Sequence, residues 1–197
     1  MRRLVSLAAL LICTTAGASA RAEGLAAWEQ ARLERGETVV REQTLERGER
    51  HYVGGVTYTV LEAAAAELSA LLEDVSTWRH VLPKTKQARH VGTDHGDALV
   101  ELVQGNAVYE ATYTIRVRKT GREMRFWLEP TRPHEIDDAW GFFRLEPFAG
   151  PSGEQRVLLT YGVLVDVGPG IVRELFEERV RAAMLSVPQL VRRYVAR

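Results

Sequence analysis

The closing stretch of the chain, residues 166–197 (DVGPGIVRELFEERVRAAMLSVPQLVRRYVAR), constrains the fold more than any other. Val172, Phe176, Val180, Ala183, Met184, Val187, Leu190, Val191 and Tyr194 recur at steps of three and four. Arg173, Glu174, Glu177, Glu178, Arg181, Arg192 and Arg193 fill the other side. The spacing predicts one long amphipathic helix entered through Gly168-Pro169-Gly170. Pro188, which lacks a backbone N–H, is expected to kink it. A helix with a single apolar stripe needs an apolar surface to cover, and the residues before it supply one.

From Thr85 to Asp166 the pattern has period two, cut by short turns. KQARHVG and ALVELVQ are joined by TDHGD, NAVYEATYTIRVRKT meets REMRFWLE at Gly121, and AWGFFRLEPF and EQRVLLTYGVLVDV flank AGPSG. In YEATYTIRV, Tyr109, Ala111, Tyr113, Ile115 and Val117 share one face, while Glu110, Thr112, Thr114 and Arg116 share the other. Such alternation marks an antiparallel sheet with one face in water and the other on something apolar. Upstream, residues 24–35 read as a short helix with Trp28 as its candidate anchor, followed by the strands TVVREQTL and HYVGGVTYTVL. EAAAAELSALLEDVSTWRHVLP favours helix, broken near Asp74 into a second short piece. The expected architecture is α+β: a curved antiparallel sheet wrapped around one long C-terminal helix, with two short helices after the first strand or hairpin. A curved sheet leaves room beside a straight helix, so an internal cavity is expected between them.

The first residues read as an export signal. Arg2-Arg3 precede an apolar run from Leu4 to Ile12, and cleavage is expected after Ala20 or Ala22. The run is far shorter than the roughly 20 residues that span a bilayer, so no transmembrane segment is expected in the mature chain. Loss of Cys13 leaves no cysteine for a disulfide or a thiol nucleophile. Removing Arg2 and Arg3 takes 26 basic and 26 acidic residues to 24 and 26. That balance gives no electrostatic footprint for nucleic acid.

Catalytic constellations are missing. His51, His80, His90, His95 and His134 are scattered without zinc spacing, Ser152 sits in a Pro-Ser-Gly turn, and GPG lacks a phosphate-loop or dinucleotide pattern. Asp137-Asp138 reads as a pair of loop acids. No catalytic residue, metal or cofactor is therefore assigned. Glu101, Glu110 and Arg144 lie on strands and face either water or the cavity; an inward Arg144 would need a carboxylate or an anionic headgroup. Tyr109, Tyr113, Phe126, Phe143 and Tyr161 on strands, with Trp78 and Trp140 at turns, are either core or pocket wall. The same two readings hold for Phe176, Val180, Met184 and Val187 on the helix. Candidate cavity-lining residues are Trp78, Tyr109, Tyr113, Ile115, Phe126, Phe143, Arg144, Tyr161, Phe176, Val180 and Met184.

Three stretches resemble the START-like superfamily of helix-grip domains, which includes lipid-transfer, pollen-allergen-like and polyketide cyclase/dehydrase-like proteins. LLEDVSTWRHVLPKTKQARHVG is similar to its pair of short helices leading into a strand. WGFFRLEPFAGPSGEQRVLLTYGVLVDVGPGIV is similar to its strand pair and glycine-rich helix entry, and the final helix is the third. The resemblance covers roughly residues 50–197; together with the leader and the short N-terminal helix, the expected division is a signal peptide over 1–22, a helical extension over 23–36 and a helix-grip domain over 37–197. With the leader, it implies a periplasmic or secreted monomer holding a lipid or other hydrophobic small molecule. The alternatives are a cyclase/dehydrase-like enzyme and a non-catalytic envelope interaction module. An acid/base pair in an open cavity would favour the enzyme, and a solid interior the interaction module.

Overall fold

The alternating segments form eight strands, seen in a computed structural model that describes residues 24–107, 110–150 and 154–197, with the backbone alone for 171–176. They are β1 (Val39–Arg47), β2 (Arg50–Leu61), β3 (Thr85–Asp94), β4 (Asp97–Gly105), β5 (Glu110–Thr120), β6 (Glu123–Leu128), β7 (Asp138–Ala149) and β8 (Gln155–Asp166). One curved open sheet holds them in the order β1-β2-β8-β7-β6-β5-β4-β3. Every adjacent pair is antiparallel. Strands β3 to β8 are a meander, and the β1–β2 hairpin attaches beside β8. The chain therefore crosses once, from β2 to the far edge at β3. Helix α2 (Ala65–Glu73), a 3-10 turn (Val75–Thr77) and α3 (Trp78–Val81) make that crossing. They follow the β1–β2 hairpin, as expected from the order of patterns.

Sheet curvature has a local cause in β2. Gly54 and Gly55 hold φ of +154° and +145°, and a Cβ at either would lie about 2 Å from the carbonyl oxygen of Val163 or Arg41. Only glycine lets both neighbouring strands approach a bent strand so closely. The inner face is apolar along each strand, as in Val157, Leu159, Tyr161, Val163 and Val165 of β8. Helices α4 (Ile171–Leu185) and α5 (Val187–Val195) lie over β2 and β8.

The terminal helix is broken rather than kinked. Pro188 stands in the first turn of α5, where its missing N–H costs nothing, and Ser186 joins the two helices. The break frees the carbonyl of Leu185, which accepts a hydrogen bond from the buried Thr57 hydroxyl of β2 at 3.1 Å. Val187 and Val191 are fully buried, and Tyr194 stacks on His80 of α3 at 5.8 Å.

Helix α1 (Ala27–Glu34) packs on the opposite face of the sheet. Its anchor is Leu33, which is fully buried against Val39, Val60, Phe148 and Leu158. Trp28 is 61% exposed, a correction to its assignment as anchor. The helix turns Glu29 inward instead, and this carboxylate takes a bidentate ion pair from Arg41 and the Ala26 backbone N–H at 2.7 Å.

Candidate functional site

Two adjoining chambers lie between the sheet and the helices. The deep one has a volume of about 50 Å³ and the outer one about 360 Å³. Gln104, Tyr113, Val165 and Met184 border both, along with Pro83. The deep chamber is floored by an aromatic cluster: Phe143 and Tyr161 stand 4.7 Å apart, and Phe126 lies 5.9 Å from the first and 6.3 Å from the second. Trp78, Val81 and Leu82 from α3 and its exit cover one side, and Met184 and Val187 from the terminal helices close another. Trp78 is fixed by its indole N–H, which donates to the Leu72 carbonyl at 2.9 Å. The outer chamber runs from Ala111 and Ile136 to Val180 and Ala183, with Lys84, Asn106 and Arg179 also on its wall.

Polar groups are few. Gln104 donates from Nε2 to Thr85 Oγ1 at 2.7 Å and to the Pro83 carbonyl at 3.2 Å, and its Oε1 accepts from the Tyr113 hydroxyl. Burial, with the Tyr113 hydroxyl nearby, holds the Tyr161 phenol well above its ordinary pKa. Among the described residues no Asp, Glu, His, Lys or Arg lines the deep chamber. Nor does any group of three or more His, Cys, Asp or Glu side chains among them stand close enough to hold a metal ion.

No sequence-family model and no curated protein matches the chain significantly. Solved structures do. A fragment of a STAR-related lipid transfer protein from Xanthomonas axonopodis superposes with a TM-score of 0.58 at 17% identity, over 79% of this chain and 99% of its own. A START superfamily protein from Mycobacterium smegmatis gives 0.58 at 12% identity, over 72% and 95%. The chain has a START-like helix-grip fold. The di-domain ARO/CYC StfQ from the steffimycin biosynthetic pathway shares that fold at a TM-score of 0.51 and 11% identity, over 84% of this chain and 53% of its own.

The helix-grip cavity gathers most of the residues proposed from sequence. Trp78, Tyr113, Ile115, Phe126, Phe143, Tyr161 and Met184 line the deep chamber, and Val180 lines the outer one with Tyr113 and Met184. Tyr109 and the side chain of Phe176 lie outside the described residues. Arg144 is a correction: it stands on the outer face of β7, partly exposed, with an ion pair to Glu123 at 2.7 Å and its guanidinium 5.3 Å from the Phe142 ring centre. Glu101 and Glu110 are also on the outer face, paired with Arg89 and Lys86. Asp138 accepts from the Tyr52 hydroxyl at 2.7 Å, and the Asp137 carbonyl accepts from Arg50, so this loop ties β2 to β7.

Sequence reasoning missed Gln104, the group that organises the polar edge. Its signal was the phase of β4: Ala98, Val100 and Leu102 point inward, and Gln104 is the next residue in that register. Leu82, Pro83 and Ile136 were also missed, because turn residues carry no periodicity.

Proposed function

We propose that this protein is an exported carrier that holds a lipid-like or other hydrophobic small molecule in the helix-grip cavity. The observation that carries the reading is the outer chamber of about 360 Å³, apolar along β5 and α4 and adjoining an aromatic pocket. Ligand sites are typically concave, mostly apolar and pre-formed, with a few placed polar groups. The fold shared with a protein described as STAR-related lipid transfer supports the same reading. Export rests on the leader-like residues 1–22, where cleavage after Ala20 or Ala22 would begin the mature chain at Arg21 or Glu23. No helix among the described residues is long and apolar enough to cross a membrane.

Among the described residues the deep chamber offers a cyclase-like reaction no charged acid or base, so binding accounts for these side chains better than catalysis. Native mass spectrometry of protein purified from its own cell envelope is expected to show a mature chain starting at Arg21 or Glu23 with one small hydrophobic molecule bound. Fatty acid, isoprenoid and polyketide-like panels are then expected to include compounds that raise the melting temperature, since binding the native state alone adds RT ln(1 + [L]/Kd) to stability. A ligand-free protein that no compound stabilises would remove the carrier reading in favour of an envelope interaction module. An unprocessed N-terminus would remove export.

A further inference from the structure

The polar groups of the deep chamber are not equivalent. Gln104 is committed at both ends: Nε2 donates to Thr85 Oγ1 and the Pro83 carbonyl, and Oε1 accepts from Tyr113. Tyr161 differs. The residue is 2% exposed and lines the chamber, yet its hydroxyl makes no hydrogen bond to any described residue. Nor is that oxygen among the sealed polar atoms of the interior, so it borders open space in the chamber. Its ring is held against Phe143 and stacked towards Phe126, so the hydroxyl cannot swing to another partner. A buried donor left unpaired is costly, and natural interiors rarely keep one without a use.

We propose that the Tyr161 hydroxyl is the anchoring donor of the cavity, and that the ligand enters with a neutral carbonyl oxygen at its leading end. The proposal rests on reading the cavity as a binding site and deepens it to a ligand class. Neutrality follows from the walls. A carboxylate pushed into the deep chamber would lose its hydration and meet no cation among the described residues there, with one phenol in exchange. The pKa of Tyr161 is raised by its burial, so the phenol remains a donor at physiological pH. An alkane end would expel any water from the hydroxyl and return no acceptor. The small volume of the deep chamber admits an end group, not the body of a lipid. The body belongs in the outer chamber between Ala111 of β5 and Val180 of α4, with any hydrated tail at Lys84. Long-chain ketones and esters meet this description; free fatty acids entering carboxylate-first do not.

The test uses the full mature protein and three probes of equal chain length: a methyl ketone, a carboxylate and an alkane. Affinities are read by displacement of a bound fluorescent hydrophobe, with melting temperature as a second readout. Wild type is expected to hold the ketone about tenfold tighter than the alkane, the worth of one well-made hydrogen bond in a dry site. Tyr161→Phe is expected to erase that preference with alkane affinity no weaker and ligand-free melting temperature no lower than in wild type, because it removes a buried hydroxyl that bonds to no described residue. Equal binding of ketone and alkane by wild type, or a preference that survives in Tyr161→Phe, overturns the anchor while the binding reading stands. Tightest binding of the carboxylate overturns the neutral class. If none of the three binds, anchor and binding reading fall together.

Discussion

Phe126 reaches the floor of the deep chamber because the residue paired with it across β6 and β7 is Gly141. A Cβ at that position would stand 2.5 Å from the Phe126 ring and 2.3 Å from the Gly162 carbonyl oxygen, so ring or strand would have to move. Gly141→Ala is therefore expected to cost about 1–3 kcal/mol in a urea titration, the usual range for overpacking a close-packed interior. Gly121→Ala is a poor control because of its turn φ, whereas Arg144→Ala, on the exposed face of the same strand, is expected to change stability by less than about 0.5 kcal/mol. Equal losses for Gly141→Ala and Arg144→Ala would show that the ring has another way to sit. The same strand shows how far its pattern could be read. Phe143 and Arg144 are consecutive, and consecutive strand residues face opposite sides, so a cavity that holds Phe143 excludes Arg144. Period two alone decides that point. What it does not reveal is whether a given inward ring meets another side chain or empty space.

At the scale of elements, legibility followed periodicity. The eight strands and the crossing helices carry clear patterns in their residues, and the glycines at turns mark where they end. The break at Ser186 was only half legible: Pro188 announces an interruption, but the separation into two helices depends on Thr57, a residue far away in sequence that satisfies the freed Leu185 carbonyl. Helix α1 illustrates the opposite error. Its aromatic Trp28 drew attention, whereas Leu33 and the inward Glu29 dock it. This docking is expected to depend on pH. The hydrogen bond from Arg41, reinforced by the Ala26 N–H against an opposing cost of burial, holds the Glu29 carboxyl below its ordinary value of 4.5. A carboxylate with a depressed folded-state pKa contributes stability that is complete above the ordinary value, shrinks as pH falls below it, and vanishes beneath the folded-state value. Amide hydrogen exchange across α1 is expected to show protection that is flat near neutrality and declines as pH falls below about 4.5. In Glu29→Gln the protection is expected to be lower at neutral pH and to lack that decline. A wild-type profile as flat as the variant's would assign the docking to Leu33 alone.

For the whole molecule, the order of patterns led to the fold, because a curved sheet and one amphipathic terminal helix have few ways to bury each other. Cavity size was not legible in the same way. It is the difference between two large surfaces, set by the bend at Gly54-Gly55, the break at Ser186 and the tilt of the crossing helices, none of which has a signature in residue type alone. Ala111 provides the means to change that difference without touching the polar groups. It is 3% exposed, sits on the inner face of β5 and borders the outer chamber opposite α4. Tryptophan at this position would occupy the chamber rather than displace a packed neighbour, and filling a void restores the contacts its lining lacks. Ala111→Trp is accordingly expected to retain the far-ultraviolet circular dichroism of the native sheet and a melting temperature no lower than wild type. It is also expected to abolish the stabilisation that hydrophobic ligands confer, and to do so for ketone and alkane alike, unlike Tyr161→Phe, which removes only the preference between them. A ligand-induced shift that persists in a folded Ala111→Trp protein would move the binding site out of the outer chamber. A variant that fails to fold would mean that β5 and α4 stand closer than a volume of about 360 Å³ implies.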